Sequence, residues 1–217
     1  MSKTIQKLNR LKNPESFIQI NTIRGYKYID KAGEIINSYH RNKIAPQFQM
    51  DLSGLVIEQP IDKIDILKVT SQVIWAKFNE IDSLDSISTL YGKESEKILK
   101  ILEVDKISRI GWRNYFVYEF LSKEKQEEYL TKIVLIKSAI PSAIRLELKI
   151  GKDFSANLLL QPVVKNNTEK TTGILFDIDI FQNGEFEPNN ITTILKGFKK
   201  YLIDQNGFLG LINNTFE

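Results

Sequence analysis

The stretch Lys106 to Phe120, KISRIGWRNYFVYEF, sorts its side chains into two unlike sets when read at every second residue. Ile110, Trp112, Phe116, Tyr118 and Phe120 fall on one side. Arg109, Gly111, Arg113, Tyr115, Val117 and Glu119 fall on the other. Aromatic and β-branched residues suit a pleated, half-buried surface, and five large apolar groups on one side can anchor a core. This reading makes the stretch the central strand of the protein.

Working outward toward the N-terminus, residues 1–16 are basic and polar with only weak helical periodicity and a proline, Pro14, and read as a basic N-terminal arm carrying Lys3, Lys7, Arg10 and Lys12. Phe17–Arg24 reads as a strand with Ile18, Ile20 and Thr22 on one side. From Lys27 to Arg41, Tyr28, Ile29, Ala32, Ile35, Ile36 and Tyr39 form one stripe of an α-helix. Phe48–Gln59 supplies one or two short strands with a turn near Ser53 and Gly54, closed by Pro60. Ile64–Phe78 reads as one long strand bulged near Thr70 and Ser71. A helical region capped by Ser83 bears Leu84, Ile87 and Leu90, breaks at Gly92 and resumes through Ile98 to Leu102.

Beyond the central strand, Ser122 caps a helix with Tyr129, Leu130, Ile133 and Val134 on its stripe, ending before Pro141. Three strands follow: Ala143–Ile150, with Ile144, Leu146, Leu148 and Ile150 on one face; Phe154–Val164; and Thr171–Phe181. A tight turn at Gly151–Asp153 and a polar loop at 165–170 separate them. A last helix from Asn190 presents Ile191, Ile194, Leu195, Phe198 and Leu202, and the tail 208–212 is apolar enough to dock on the body.

The order strand, helix, strands, helix thus occurs twice, in residues 17–105 and again in 106–217. The fold expected is α+β in two layers: a curved antiparallel sheet with helices on one face, built from two such halves that form one compact unit. The other face of the sheet is then free to meet a partner.

Composition bounds the chemistry. The 217 residues include no cysteine, which excludes disulfides, thiolate zinc sites, iron–sulfur clusters and a cysteine nucleophile, and suits a reducing interior. The start of the chain has no apolar core of a secretory signal, and no apolar run reaches membrane-spanning length, so a cytoplasmic protein with no membrane partner is expected. Net charge is +3 but uneven: residues 1–48 hold nine Lys/Arg against three carboxylates, whereas 49–105 hold six against eleven. A basic leading segment can touch phosphates or an acidic partner, although a solvated basic tail is the simpler reading.

Four charged side chains stand out. Arg109 and Arg113 share a strand face about 13 Å apart, and Asp177 and Asp179 share another about 6.6 Å apart, at roughly 3.3 Å per residue. On neighbouring strands they would neutralise one another by cross-strand pairing. The functional alternative is an anion-recognising surface in which the arginines bind phosphate or carboxylate, the aspartates orient them, Gly111 admits a close backbone and Tyr115 gives flat contact area. Asp177 and Asp179 could hold Mg²⁺, yet no third carboxylate or phosphate-holding loop accompanies them, and neither a metal nor a cofactor is expected. The sole histidine, His40, ends the first helix and suits its dipole. G-x-S-x-G, P-loop and dinucleotide-glycine motifs are all missing from the sequence.

The pattern Arg109-x-Gly111-x-Arg113-x-Tyr115, with the acidic strand Phe176–Ile180 and Phe208 near the C-terminus, resembles a sporadically distributed, mostly uncharacterised bacterial protein family. That family has an R-x-G-x-R-x-Y strand and a C-terminal D-x-D strand; its members usually carry Asn where this chain has Val117. The resemblance implies an accessory protein from variable genomic regions, where anti-phage functions cluster. The expected function is non-enzymatic recognition of a protein partner or an anionic ligand, or a homodimer through the same face. A nucleic-acid-binding subunit using that face and the basic arm is the alternative, and a metal-dependent phosphoryl-transfer enzyme around Asp177 and Asp179 the third reading.

Overall fold

The computed structural model describes residues 11–23, 28–39, 46–78, 84–120, 122–134, 142–164, 172–203 and 208. Lys3, Lys7, Arg10 and His40 lie outside them, as do Arg24 and Ser83. Among the described residues the chain forms a nine-stranded antiparallel sheet, curved and not closed, with four α-helices. In chain order the elements are β1 (Leu11–Thr22), α1 (Tyr28–Tyr39), β2 (Gln47–Asp51), β3 (Gly54–Ile61), β4 (Ile64–Val69), β5 (Val73–Phe78), α2 (Leu84–Ile101), β6 (Ile107–Phe120), α3 (Lys123–Val134), β7 (Ile144–Ile150), β8 (Phe154–Val164), β9 (Thr172–Phe186) and α4 (Ile191–Ile203). A 3₁₀ turn, Pro188–Asn190, leads into α4.

The strand order is β2-β3-β4-β5-β1-β6-β9-β8-β7. Each half of the chain follows the same connectivity: an opening strand (β1 or β6), a helix, then strands that meander back until the last (β5 or β9) lies beside the first. By contacts the chain divides into two compact units that do not follow chain order, one comprising residues 15–113 and 181–199, the other the remainder.

In the 15–113/181–199 unit, strand register explains the core. Leu55, Val69, Ile74 and Ile20 stand opposite one another across β3, β4, β5 and β1, and Ile57, Leu67, Ala76 and Ile18 form the next row. All eight are sealed from solvent. Each large side chain among them is worth about 1.5–3 kcal/mol on full burial. The helices supply the lid: Tyr28, Ala32, Ile35 and Tyr39 of α1 recur at helical spacing and are buried, as are Ile87, Tyr91, Ile98 and Leu99 of α2. The Tyr91 hydroxyl donates to the Ile74 carbonyl at 3.1 Å, tying α2 to β5. Helix α2 stops where Glu103 takes φ 56° and Val104 N–H bonds back to the Leu99 carbonyl at 2.9 Å.

In the other unit, Phe116, Tyr118 and Phe120 of β6 and Ile174, Phe176 and Ile178 of β9 are buried. Tyr129 of α3 packs against both Phe120 and Phe176. Gln126, also buried, donates to the Gly173 carbonyl and so fixes α3 to β9. Ser122 caps that helix, its Oγ accepting from Lys125 N–H at 3.4 Å. Phe208, in the apolar tail, is buried.

Several sequence expectations change. The segment Ile64–Phe78 is a hairpin, β4 and β5, turning at Thr70–Gln72. Thr70 makes the turn without glycine: its N–H bonds to the Val73 carbonyl at 2.8 Å, and its Oγ1 accepts from the N–H groups of Val73 and Gln72. Strand β1 begins at Leu11, so residues 11–16, Lys12 included, belong to a strand and not to an arm; Ser16, polar and unremarkable in sequence, is fully buried where its hydroxyl accepts from the Trp112 indole. Helix α2 runs unbroken through Gly92, which packs against Thr192. Pro60 lies inside β3, at a register shift between Glu58 and Ile61, and β9 extends five residues past Phe181. Ile29, placed on the α1 stripe, is exposed, and the Leu face of β7 is half open.

Candidate recognition face

Strand β6 keeps the two-sided character of its sequence. Ile110, Trp112, Phe116, Tyr118 and Phe120 are buried, whereas Arg113 is exposed and Arg109, Tyr115, Val117 and Glu119 are intermediate. Asp177 (6% exposed) and Asp179 lie on β9, the neighbour of β6 in the sheet, with Asp177 buried and Asp179 intermediate. Arg109, Gly111 and Arg113 belong to the 15–113/181–199 unit, and Tyr115, Asp177 and Asp179 to the other.

Within the first unit the uncovered sheet face can be built residue by residue from register. Val56, Lys68, Trp75 and Gln19 form one row across β3, β4, β5 and β1; Glu58, Ile66, Lys77 and Phe17 form the next. These residues alternate with the sealed rows described above, and none of the eight is buried: Glu58 is exposed and the other seven are intermediate. Phe17 and Trp75 lie with ring centroids 6.2 Å apart. Lys77 Nζ stands 5.9 Å from the Phe17 centroid and 3.1 Å from Glu15 Oε1. Cations and rings are therefore interleaved, an arrangement in which each ammonium gains from a ring face while remaining partly solvated.

Arg109 extends this pattern to β6. Its guanidinium carbon lies 4.8 Å from the Phe181 ring centroid, and it crosses directly over Gly111: a Cβ built at Gly111 would sit 2.6 Å from Arg109 Nη1. The glycine is thus the reason the guanidinium can lie flat along its own strand against a ring. On the covered side, the Trp112 indole meets the Ser16 hydroxyl, so the adjacent residues Gly111 and Arg113 on β6 and Glu15 and Phe17 on β1 share one region of the uncovered side. Sequence reading singled out Arg109, Gly111 and Arg113 but missed Phe17, Trp75, Lys68, Lys77 and Phe181. The alternation of Val73–Phe78 carried that information, since Trp75 and Lys77 fall opposite Ile74 and Ala76.

Charges elsewhere are at the surface. Lys31 pairs with Glu103 at 2.9 Å, which holds the ammonium above and the carboxylate below their usual ranges. Lys106, bonded to Glu185 at 2.7 Å, is likewise raised. Among the described residues no group of three or more His, Asp or Glu side chains is placed to hold a metal ion, and no helix is long and apolar enough to cross a membrane. Compared with protein-family models and with curated proteins, the chain matches none.

Proposed function

We propose that this chain is a non-catalytic recognition protein that works in a bacterial assembly, with anti-phage defence as the setting that its resemblance suggests, and that it binds an anionic ligand or an acidic protein partner on the uncovered face of the 15–113/181–199 unit. The observation that carries this reading is the contrast between faces: rows sealed on one side, and on the other Lys68, Lys77 and Arg109 interleaved with Trp75, Phe17 and Phe181. Cations supply attraction for carboxylate or phosphate, and the rings supply flat area at small entropic cost. The same interleaving favours a second reading, single-stranded nucleic acid, whose bases stack on rings while lysines and arginines track its phosphates.

Trp75 is a built-in reporter, because the only other tryptophan, Trp112, is fully buried. Titrating polyglutamate and, separately, an oligothymidylate of about 16 nucleotides should quench Trp75 emission with one of them. Binding should weaken as salt rises. Replacing Arg109 and Arg113 together by alanine should weaken it about tenfold or more, as expected on losing two charge-assisted contacts. If neither polymer perturbs Trp75, or the double variant binds as the native chain does, this face is not the binding surface.

A further inference from the structure

Across three adjacent strands of the 15–113/181–199 unit, one row of side chains on the recognition face has a polar end, a flat middle and a charged end. Gln19 of β1 stands directly opposite Trp75 of β5, and Trp75 directly opposite Lys68 of β4. All three are half-buried, so each keeps part of its surface in solvent. Residues facing one another on neighbouring strands share a sheet face, and strands lie about 4.8 Å apart, so Gln19 and Lys68 flank the indole at about 10 Å from one another along the backbone. Gln19 Nε2 donates to Asn21 Oδ1 at 2.8 Å, which fixes two carboxamides side by side, Asn21 facing Val73 of β5. A pair joined in this way presents an acceptor, Gln19 Oε1, and a donor, Asn21 Nδ2, together. On the other flank the Lys68 stem passes close over Gly54, where a built Cβ would lie 3.2 Å from Lys68 Cε. The next row, about 6.6 Å along the strands, repeats the ring and the cation. Lys77 faces Phe17 with its ammonium 5.9 Å from that ring's centroid, and the Phe17 and Trp75 centroids are 6.2 Å apart.

We propose that this row is a nucleotide subsite: one base of a single-stranded nucleic acid stacks on Trp75, the Gln19–Asn21 amide pair bonds the polar edge of that base, and Lys68 takes phosphate on the opposite flank. The inference rests on the recognition-face reading above and narrows its ligand. A nucleotide carries its parts in the same order as the row, a hydrogen-bonding edge, a flat ring and a phosphate, and unstacked bases are held by aromatic faces and by bonds to their edges. Carboxamides suit those edges, because a base edge sets donor and acceptor next to each other. The unit of ring and lysine occurs twice, one row apart, which suits a polymer of nucleotides better than a single one. Charge argues against an acidic peptide. Lys77 is already engaged with Glu15 at 3.1 Å, and Glu58 ends the second row beyond Ile66. Attraction for anions is therefore modest on these two rows, and flat contact has to supply the rest. Bases bring a π-face at every step, and glutamate side chains bring none.

Fluorescence anisotropy of the full chain with labelled oligomers of about 16 units, one of thymidylate and one of the same sugar–phosphate chain without bases, and with polyglutamate as a third ligand, separates the readings. Oligothymidylate should bind about tenfold or more tighter than the abasic chain, the difference that stacking and edge contacts make. Trp75→Ala should bring oligothymidylate down to the abasic level. Trp75→Phe keeps a ring and should restore most of the binding, so the loss in the alanine variant is not one of folding. Lys68→Gln should reduce the slope of log affinity against log salt by about 0.7. Gln19→Ala with Asn21→Ala should narrow the spread of affinities among thymidylate, cytidylate and adenylate oligomers to within about twofold, a change that lost packing alone does not produce. Equal binding of the abasic and base-bearing chains, or tight binding of polyglutamate alone, overturns the nucleotide subsite and leaves the face standing as an anion surface. Binding of none of the three overturns both readings, and a spread of affinities unchanged in the double amide variant overturns the edge-reading role.

Discussion

At the scale of single residues, two glycines show how the same substitution can act through different physics. Gly111 faces the guanidinium of Arg109, the far end of a flexible side chain, so Gly111→Ala can be accommodated by swinging Arg109 away. Strand interiors also disfavour glycine by about 0.5–1 kcal/mol. Stability should therefore change by less than about 1 kcal/mol, while any ligand binding that depends on Arg109 lying over Phe181 should fall toward the level of Arg109→Ala. Gly92 faces Thr192, with Thr192 Cα 3.1 Å from a built Cβ, so backbone must move. Gly92→Ala gains about 1 kcal/mol of helix propensity but should lose about 1–3 kcal/mol to overpacking, visible as a lowered urea midpoint with an unchanged slope. A Gly92 variant as stable as the native chain would mean that α2 and Thr192 are not held as tightly as the structure places them. The sequence pointed to Arg109, Gly111 and Arg113 because they stand on one strand with a clear period of two. It could not point to Phe181 or Lys68, because their membership in the same surface depends on which strands are neighbours, and pairing is a long-range property.

At the scale of elements, the parts that period and capping define were legible: α1 from its stripe, α3 from Ser122, α4 from Ile191, Leu195, Phe198 and Leu202, and β6 from its alternation. What failed were breaks and joins. The β4–β5 turn has neither glycine, proline nor asparagine, and Thr-Ser-Gln between two β-rich runs reads equally well as a bulge. The turn exists because a single hydroxyl satisfies two backbone donors and its own backbone closes on Val73. That makes Thr70→Val a sharp probe: the isosteric methyl keeps shape but leaves the Val73 and Gln72 N–H groups to solvent, and should cost about 1 kcal/mol, whereas Thr70→Ser should cost less. If valine were neutral, the hairpin would be held by its flanking rows, Lys68 with Trp75 and Val69 with Ile74, and not by the turn. The opposite error arose at Gly92, where an intrinsic helix breaker is tolerated inside an 18-residue helix because a neighbouring chain segment needs its missing side chain.

At the scale of the whole molecule, the repeated connectivity was visible in the order of elements, since each half opens with a strand and closes with a helix. That β1 and β6 lie side by side at the centre was not visible, because nothing local records it. Molecular stability as a function of pH follows from where the shifted groups sit. Among the described residues, each carboxylate held below its usual range, Asp51 by its Ser53 bonds, Glu103 by Lys31, Glu124 by the Ser122 hydroxyl and Glu128 by Lys132 and Lys125, is at the surface. A depressed carboxylate adds stability above its unfolded value, near 3.8 for Asp and 4.5 for Glu, that is lost as pH falls through the folded value, so the acid limb should begin below about pH 4.5 and be shallow. The alkaline limb has a different origin. Tyr39 and Tyr129 are buried in the two units, and burial raises both phenols well above their ordinary value near 10. A raised group contributes fully below its unfolded value, and stability then falls as pH climbs toward the folded one, because the unfolded chain can release the proton and the folded chain cannot. Lys31 and Lys106, raised by Glu103 and Glu185, act in the same direction from the surface. Urea unfolding from pH 3 to pH 11.5 should therefore show a plateau across the neutral range and a fall above about pH 10 steeper than the acid limb. Tyr39→Phe with Tyr129→Phe should flatten that fall while leaving the acid limb alone, since Lys97 can keep its place 3.9 Å above the ring at position 39 whether or not the hydroxyl is present. An alkaline limb unchanged in the double variant would show that the lysine pairs, and not the buried phenols, govern unfolding at high pH.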